Sequence, residues 1–170
     1  HDYEKIRKDA DVQHVHEFSS ARKKMSTVVR EGDTIRNYMK GGPDFCLGLC
    51  THYLTAQCER VEISETVKQQ IIDQVTIFAK DSLRTMLIAY RDLGNEMKEE
   101  YKDAENVEKD YTVIAIVGIQ DPLRPEVIQA VKNCRTAGVV VRMVTGDFIA
   151  TAKAIATECG ILDESKGEIA

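Results

Sequence analysis

Apolar and polar residues alternate along the first third of the chain. Val12–Phe18 sets Val12, His14, His16 and Phe18 against Gln13, Val15 and Glu17. Lys24–Arg30 and Thr34–Lys40 are two more strand-like stretches, with Glu31-Gly32-Asp33 between them. Glycine takes positive φ without a Cβ clash, so this pattern predicts an antiparallel hairpin within a sheet. From Pro43 the period lengthens: Phe45, Leu49 and Tyr53 recur every four residues and predict a short helix through about Leu54. Ser64 is placed to cap a helix running to about Lys80, with Val67, Ile71, Val75 and Phe78 as its buried stripe. Arg84–Leu93 returns to strand-like alternation.

The character changes twice more. Asn95–Asp110 carries seven acidic residues among three lysines and reads as a solvated helix and loop. It lacks the alternating acids and central glycine of an EF-hand. Tyr111–Ile119 is almost wholly apolar, as in a strand covered on both faces. Pro125 suits the first turn of a helix burying Val127, Ile128, Val131 and Cys134, which Gly138 ends. Val139–Val144 is β-branched and predicts another strand. A helix with Ile149, Ala152, Ile155, Ala156 and Cys159 inward follows, ended by Gly160. Strand, helix, strand, helix with short joints predicts a parallel sheet. The fold class is therefore α/β in the broad sense (α+β). An antiparallel-sheet region, residues 1–110, precedes the start of a doubly wound parallel α/β region, residues 111–170.

Composition narrows the functions. The 170 residues are 43% hydrophobic and 30% charged, with a net charge of -5. A nucleic-acid partner is not expected, because phosphate-backbone binding needs a basic face. No run approaches the roughly 20 apolar residues of a membrane helix. His1–Lys8 lacks the apolar core of a signal peptide, and both ends read as cut points in a longer chain. The five cysteines show no C-x-x-C spacing and are expected to be reduced. His14, His16 and His52 form no metal-ligand spacing, and no metal site is expected.

Five stretches carry candidate chemistry. Met143-Val144-Thr145-Gly146-Asp147 lies where a predicted strand gives way to a helix, the edge at which open α/β sheets bind ligands. Thr145 offers a hydroxyl and Gly146 a close backbone approach; Asp147 suits either a ligand shell or a helix cap. Asp121-Pro122-Leu123-Arg124-Pro125 is a stiff loop at the same predicted edge. Phe18-Ser19-Ser20-Ala21-Arg22-Lys23-Lys24-Met25 places an aromatic ring beside a basic cluster, which suits a purine with its phosphates and equally a core Phe beside a solvated turn. Lys40-Gly41-Gly42-Pro43-Asp44 allows close approach of a flat ligand but lacks P-loop spacing. Arg84 precedes a predicted strand.

In this order and spacing, FSSARKKMSTVV, KGGPD, LRTMLIAYRDL, DPLRPEV, VRMVTGD and AIATECGI resemble the P-type cation-transporting ATPases, above all the plasma-membrane type of calcium pump. The likeness runs from about Asp2 to Ile161. It implies a nucleotide-binding domain, truncated at its N-terminal side, followed by part of a haloacid-dehalogenase-like phosphorylation domain. It also implies ATP with Mg2+, a transported cation (calcium) bound by membrane helices outside this chain, and a place on the cytoplasmic face of a membrane pump. By resemblance Phe18 stacks on adenine, with Met25 beside it, Lys23 approaches the phosphates, and Lys40 and Gly41 line the adenine pocket. Arg84 reaches the phosphates from the opposite side. Thr145 holds an aspartyl phosphate, and Asp121, Arg124, Gly146 and Asp147 shape the phosphate and magnesium site.

The family's D-K-T-G-T and G-D-G-x-N-D motifs do not occur in these residues. The nucleophilic aspartate and most magnesium ligands are therefore expected elsewhere in the full protein, and this chain alone is expected neither to form an aspartyl phosphate nor to pump. Phe148 follows Thr-Gly-Asp where the family has Asn, and a ring cannot reproduce the amide's hydrogen bonds. Two alternatives stay open. One is a haloacid-dehalogenase-like phosphatase with a cap domain, which the Thr145 motif also suits. The other is a non-catalytic regulatory module that kept the fold, which Phe148 favours and which nucleotide binding would exclude.

Overall fold

The computed structural model describes residues 2–163. Residues 164–170, the end of the second predicted region, lie outside the described residues. A seven-stranded sheet runs in the order β1 (Asp11–His16), β2 (Lys24–Glu31), β3 (Thr34–Gly41), β6 (Leu83–Gly94), β7 (Tyr111–Gln120), β4 (Cys50–Leu54) and β5 (Arg60–Glu62). The helices are α1 (Tyr3–Asp9), α2 (Pro43–Cys46), α3 (Glu65–Lys80), α4 (Ala104–Val107), α5 (Pro125–Thr136) and α6 (Ile149–Glu158). The mixed α+β class read from the sequence is what the chain adopts.

The predicted hairpin forms. β2 and β3 pair in unbroken antiparallel register from Glu31↔Thr34 to Lys24↔Gly41, and Gly32 takes φ 59 at the turn. β1 joins β2, and β6 joins β3, both antiparallel. Alternation then buries one face: Ile35, Asn37 and Met39 point inward on β3, as do Leu87 and Ala89 on β6. The main core joins Met39, Cys46, Leu47, Leu87, Ala89, Tyr111 and Val113. A second cluster joins Val28, Ile35, Tyr101 and Val107. α3 starts and stops where the sequence predicts, and Ser64 Oγ accepts the Val67 N–H at 3.3 Å.

Three elements depart from expectation. The helix from Pro43 ends after one turn and a 3-10 turn; Cys50–Leu54 instead becomes β4. Its backbone is taken up by β7 in parallel and β5 antiparallel, and a ladder on both sides outweighs a period of four. Asn95–Asp110 is not wholly solvated, since Tyr101, Val107 and Glu108 are buried. Val139–Val144 forms no strand. Among the described residues no strand pairs with it, and Val140 and Val144 are 77% and 96% exposed. β-branched composition cannot make a strand without a partner for its N–H and C=O groups. A pocket of about 890 Å³ beside this segment, lined by residues such as Val141, Met143, Ala156 and Leu162, takes in Met143 and Val144 of the candidate stretch but not Thr145, Gly146 or Asp147.

The chain divides into two compact units. Among the described residues, one takes residues 2–71 with Met86–Val117; the other takes Ile72–Thr85 with residues 118–163. Among the described residues no helix is long and apolar enough to cross a membrane.

Candidate functional site

In the first unit the loop between β1 and β2 is shaped by Ser19. Its Oγ accepts the Arg22 N–H at 3.2 Å and its carbonyl accepts the Lys23 N–H at 2.9 Å. This folds the chain back so that Lys23 sits at φ 53, a left-handed conformation that costs a non-glycine residue about 1 kcal/mol. The Lys23 carbonyl accepts the Gly42 N–H at 3.1 Å, tying this loop to the end of β3. A Cβ at Gly41 would lie 2.6 Å from the Lys23 carbonyl oxygen and 2.7 Å from Cys46 Sγ. Gly41 is therefore required by the protein's own packing, a reason distinct from approach to a ligand.

Met25 and Lys40 are register partners, and Lys40 pairs in turn with Ile88. The three share the sheet face opposite the buried Ser26, Met39 and Leu87. Phe18 is 59% exposed at the start of the loop. The fold thus brings Phe18, Lys23, Met25, Lys40 and Gly41 to one end of the β2–β3 ribbon.

The three adjacent cations have different fates. Arg22 and Lys24 both bind the Glu108 carboxylate, Lys24 at 3.2 Å. Arg22 also donates to the Glu17 carbonyl at 2.8 Å, and Ser26 Oγ donates to Glu108 at 2.9 Å. The Glu108 side chain is 6% exposed. Among the described residues neither Lys23 nor Lys40 makes an ion pair. Glu108 was invisible as a site-shaping residue in the sequence, because it lies in an acidic run far from its partners.

Around this node, His16 Nε2–H donates to the buried Tyr101 carbonyl at 3.1 Å, and burial, then the neighbouring His14, push its pKa down. Asn37 Nδ2 donates to the Tyr111 hydroxyl at 2.7 Å, and burial raises the Tyr111 pKa. Burial pushes the Cys46 and Cys50 thiols up to about 11 and about 12, so both stay protonated and poorly nucleophilic near neutral pH.

The second unit gathers another set. Thr151 on α6, 1% exposed, donates to the Leu83 carbonyl at 3.2 Å. A Cβ at Gly118 would lie 2.8 Å from Leu83 Cδ1, so β7 passes close to the start of β6 only because Gly118 has no side chain. These contacts set Arg84 between two acids: Asp121 at 3.5 Å and Asp147 at 3.1 Å. Thr145 Oγ1–H donates to Asp147 Oδ2 at 2.9 Å, and its oxygen accepts the Asp147 N–H at 3.1 Å. Gly146 is exposed within this turn. Phe148, not Asp147, is the N-cap of α6 and supplies no side-chain cap. Arg124 is the exposed N-cap of α5. Arg84 is thus grouped with Asp121, Thr145 and Asp147, a pairing that the sequence did not reveal.

An exposed ring and two cations without carboxylate partners fit a nucleotide in the first unit. The acids of the second unit fit a divalent ion poorly, since Asp121 and Asp147 already share one guanidinium. No group of three His, Cys, Asp or Glu side chains suited to a metal occurs among the described residues.

A family model described as P-type ATPase, cytoplasmic domain N, matches residues 1–126. The chain is 45% identical over 163 residues to the calcium-transporting ATPase PAT1 of Dictyostelium discoideum, covering 96% of this chain and 14% of that protein. It is 40% identical over 164 residues to the plasma membrane-type calcium-transporting ATPase 4 of Arabidopsis thaliana, covering 96% and 15%. It is 43% identical over 153 residues to the plasma membrane calcium-transporting ATPase 3 of Homo sapiens, covering 87% and 12%. The chain therefore spans about one seventh of the length of the first of these relatives. The match of the family model over most of the chain, on a sheet that keeps the Phe18 and Lys40 segments together, means that this protein belongs to the P-type ATPase family.

Proposed function

We propose that this chain is the ATP-binding portion of an ATP-driven cation pump whose aspartyl phosphate forms elsewhere in the full protein. Residues 1–110 then serve as the nucleotide-binding region, and residues 111–170 open the phosphorylation domain. Calcium is the proposed cation, on the strength of the relatives' names alone. One observation carries the reading: Phe18, Met25 and Lys40 converge at one end of the β2–β3 ribbon with Lys23, and both lysines lack a carboxylate partner among the described residues. An exposed ring stacks on a purine, and cations without partners meet phosphates without first losing an ion pair.

In the second unit Thr145 is proposed to hold the aspartyl phosphate, with Asp121, Arg124, Gly146 and Asp147 around it. Mg2+ accompanies the ATP and takes most of its ligands from outside this chain. Arg84 would exchange its carboxylate partners for phosphate oxygens.

Titrating ATP against the chain and against Phe18→Ala and Lys40→Ala tests this. The expected result is saturable binding, weakened about tenfold in each variant, the effect of one lost stacking or charged contact. Equal binding by all three would sink the adenine-pocket assignment. A non-catalytic regulatory module is the second reading, favoured by Phe148 at the N-cap and by the inward-turned Thr145 hydroxyl. A folded chain, extended at its N-terminus, that still binds no ATP would favour that module.

A further inference from the structure

Three cations stand side by side in the β1–β2 loop, and a single carboxylate decides between them. Glu108 follows α4 and lies 84 to 86 positions away from Lys24 and Arg22 in the chain (108 − 24 and 108 − 22). Its Oε1 takes Arg22 and the Ser26 hydroxyl; its Oε2 takes Lys24. Both residues flanking Lys23 are therefore anchored, part-buried, on one buried carboxylate. The Lys23 backbone is tied in addition through its N–H to the Ser19 carbonyl and its carbonyl to the Gly42 N–H, so the flanking Glu108 contacts complete the hold on this residue.

We propose that Glu108 is a positioning residue for nucleotide binding: by holding Arg22 and Lys24 it leaves Lys23 as the loop's one cation for the phosphates and fixes where that cation stands. The proposal rests on the ATP-binding reading above. It also predicts a division of labour. Glu108 makes no hydrogen bond or ion pair with Phe18 and meets its segment only through Arg22, which donates to the Glu17 carbonyl, so loss of the Glu108 contacts acts on phosphate recognition more than on the base.

Glu108→Gln would strand two part-buried cations and risks unfolding, so Glu108→Asp is the better probe. It keeps the charge but is one methylene too short to reach all three partners. Ser26→Ala removes one contact with no change of charge. ATP and adenosine are titrated calorimetrically against the wild-type chain, both variants, Lys23→Met, and Lys23→Met combined with Glu108→Asp. Glu108→Asp is expected to weaken ATP about tenfold and adenosine less than about twofold, with Ser26→Ala doing the same on a smaller scale, about threefold. In the Lys23→Met background the Asp substitution should add less than about twofold, because the cation it positions is gone.

A merely structural role would weaken both ligands by the same factor, and that result overturns the proposal. So does an unchanged ATP affinity in Glu108→Asp, or a full further loss in the Lys23→Met background. If the wild-type chain, folded and extended at its N-terminus, binds no ATP, or Phe18→Ala binds it undiminished, the nucleotide reading itself fails and this proposal with it. Failure of the proposal alone shows as normal ATP binding that depends on Phe18 but not on Glu108.

Discussion

The Phe18–Lys23 loop and the Thr145–Asp147 turn both carry candidate phosphate ligands, yet their charges are arranged in opposite ways. In the first, a buried acid consumes two of three cations and leaves one unmatched. In the second, one cation is shared by two acids, and the threonine hydroxyl is spent on its own turn. An anion arriving at the loop meets charge that has no partner to give up. An anion arriving at the turn must displace Asp121 or Asp147 from Arg84. On the proposed reading, the first arrangement binds an anion as it stands, whereas the second has to rearrange first.

The largest expected effect on this contrast comes from Gly41→Ala. Its Cβ would press on the Lys23 carbonyl and Cys46, both in packed surroundings. We expect a loss of about 3 kcal/mol from overpacking, roughly 6–12 °C in melting temperature for a chain of this size. An unchanged melting temperature would show that the loop is held less tightly than the geometry says. Thr151→Val should be milder. It leaves the Leu83 carbonyl without its donor, at about 1 kcal/mol. Amides of α6 should then exchange about fivefold faster while those of β2 and β3 stay protected. Equal acceleration in both would mean that the two units do not open separately.

The smallest effect is on pH dependence. His16 is held neutral by burial and by His14, with Glu108 opposing and Arg22 adding to the shift. Its folded pKa lies below the unfolded value of about 6.5. The unfolded chain therefore binds the proton first as pH falls. The His16 contribution is fully present above about pH 6.5 and is lost as pH drops towards the folded pKa. His16→Gln keeps a donor for Tyr101 and should flatten the stability profile as pH falls below about 6.5. Identical slopes for variant and wild type would remove His16 from the account.

Local signals carried much of the fold. Gly32 marked the hairpin, Ser64 and Lys80 bounded α3, and alternation marked β2, β3 and β6, because each depends on residues close in sequence. Cys50–Leu54 and Val139–Val144 were misread for one reason. Whether a stretch becomes a strand depends on a neighbour: β7 reaches the first, and no strand among the described residues reaches the second. The Phe18, Lys23 and Lys40 grouping was legible through a motif order. The matching of Arg22 and Lys24 to Glu108, and of Arg84 to Asp147, was not. Those pairs join residues more than 60 apart, and one charge in an acidic run looks like any other until folding chooses its partner.

The Gly32–Asp33 turn has a consequence for how such a chain can grow. Apart from Gly32 itself and its two chain neighbours, no atom lies within 4 Å of where a Gly32 side chain would begin, and the strands on either side are locked in register. Lengthening the connection there costs only loop-closure entropy, about 0.6 kcal/mol for each doubling. Here a descendant could acquire an extra segment, or an experimenter graft a fluorescent reporter, with the ribbon beneath still reading out its sequence unchanged.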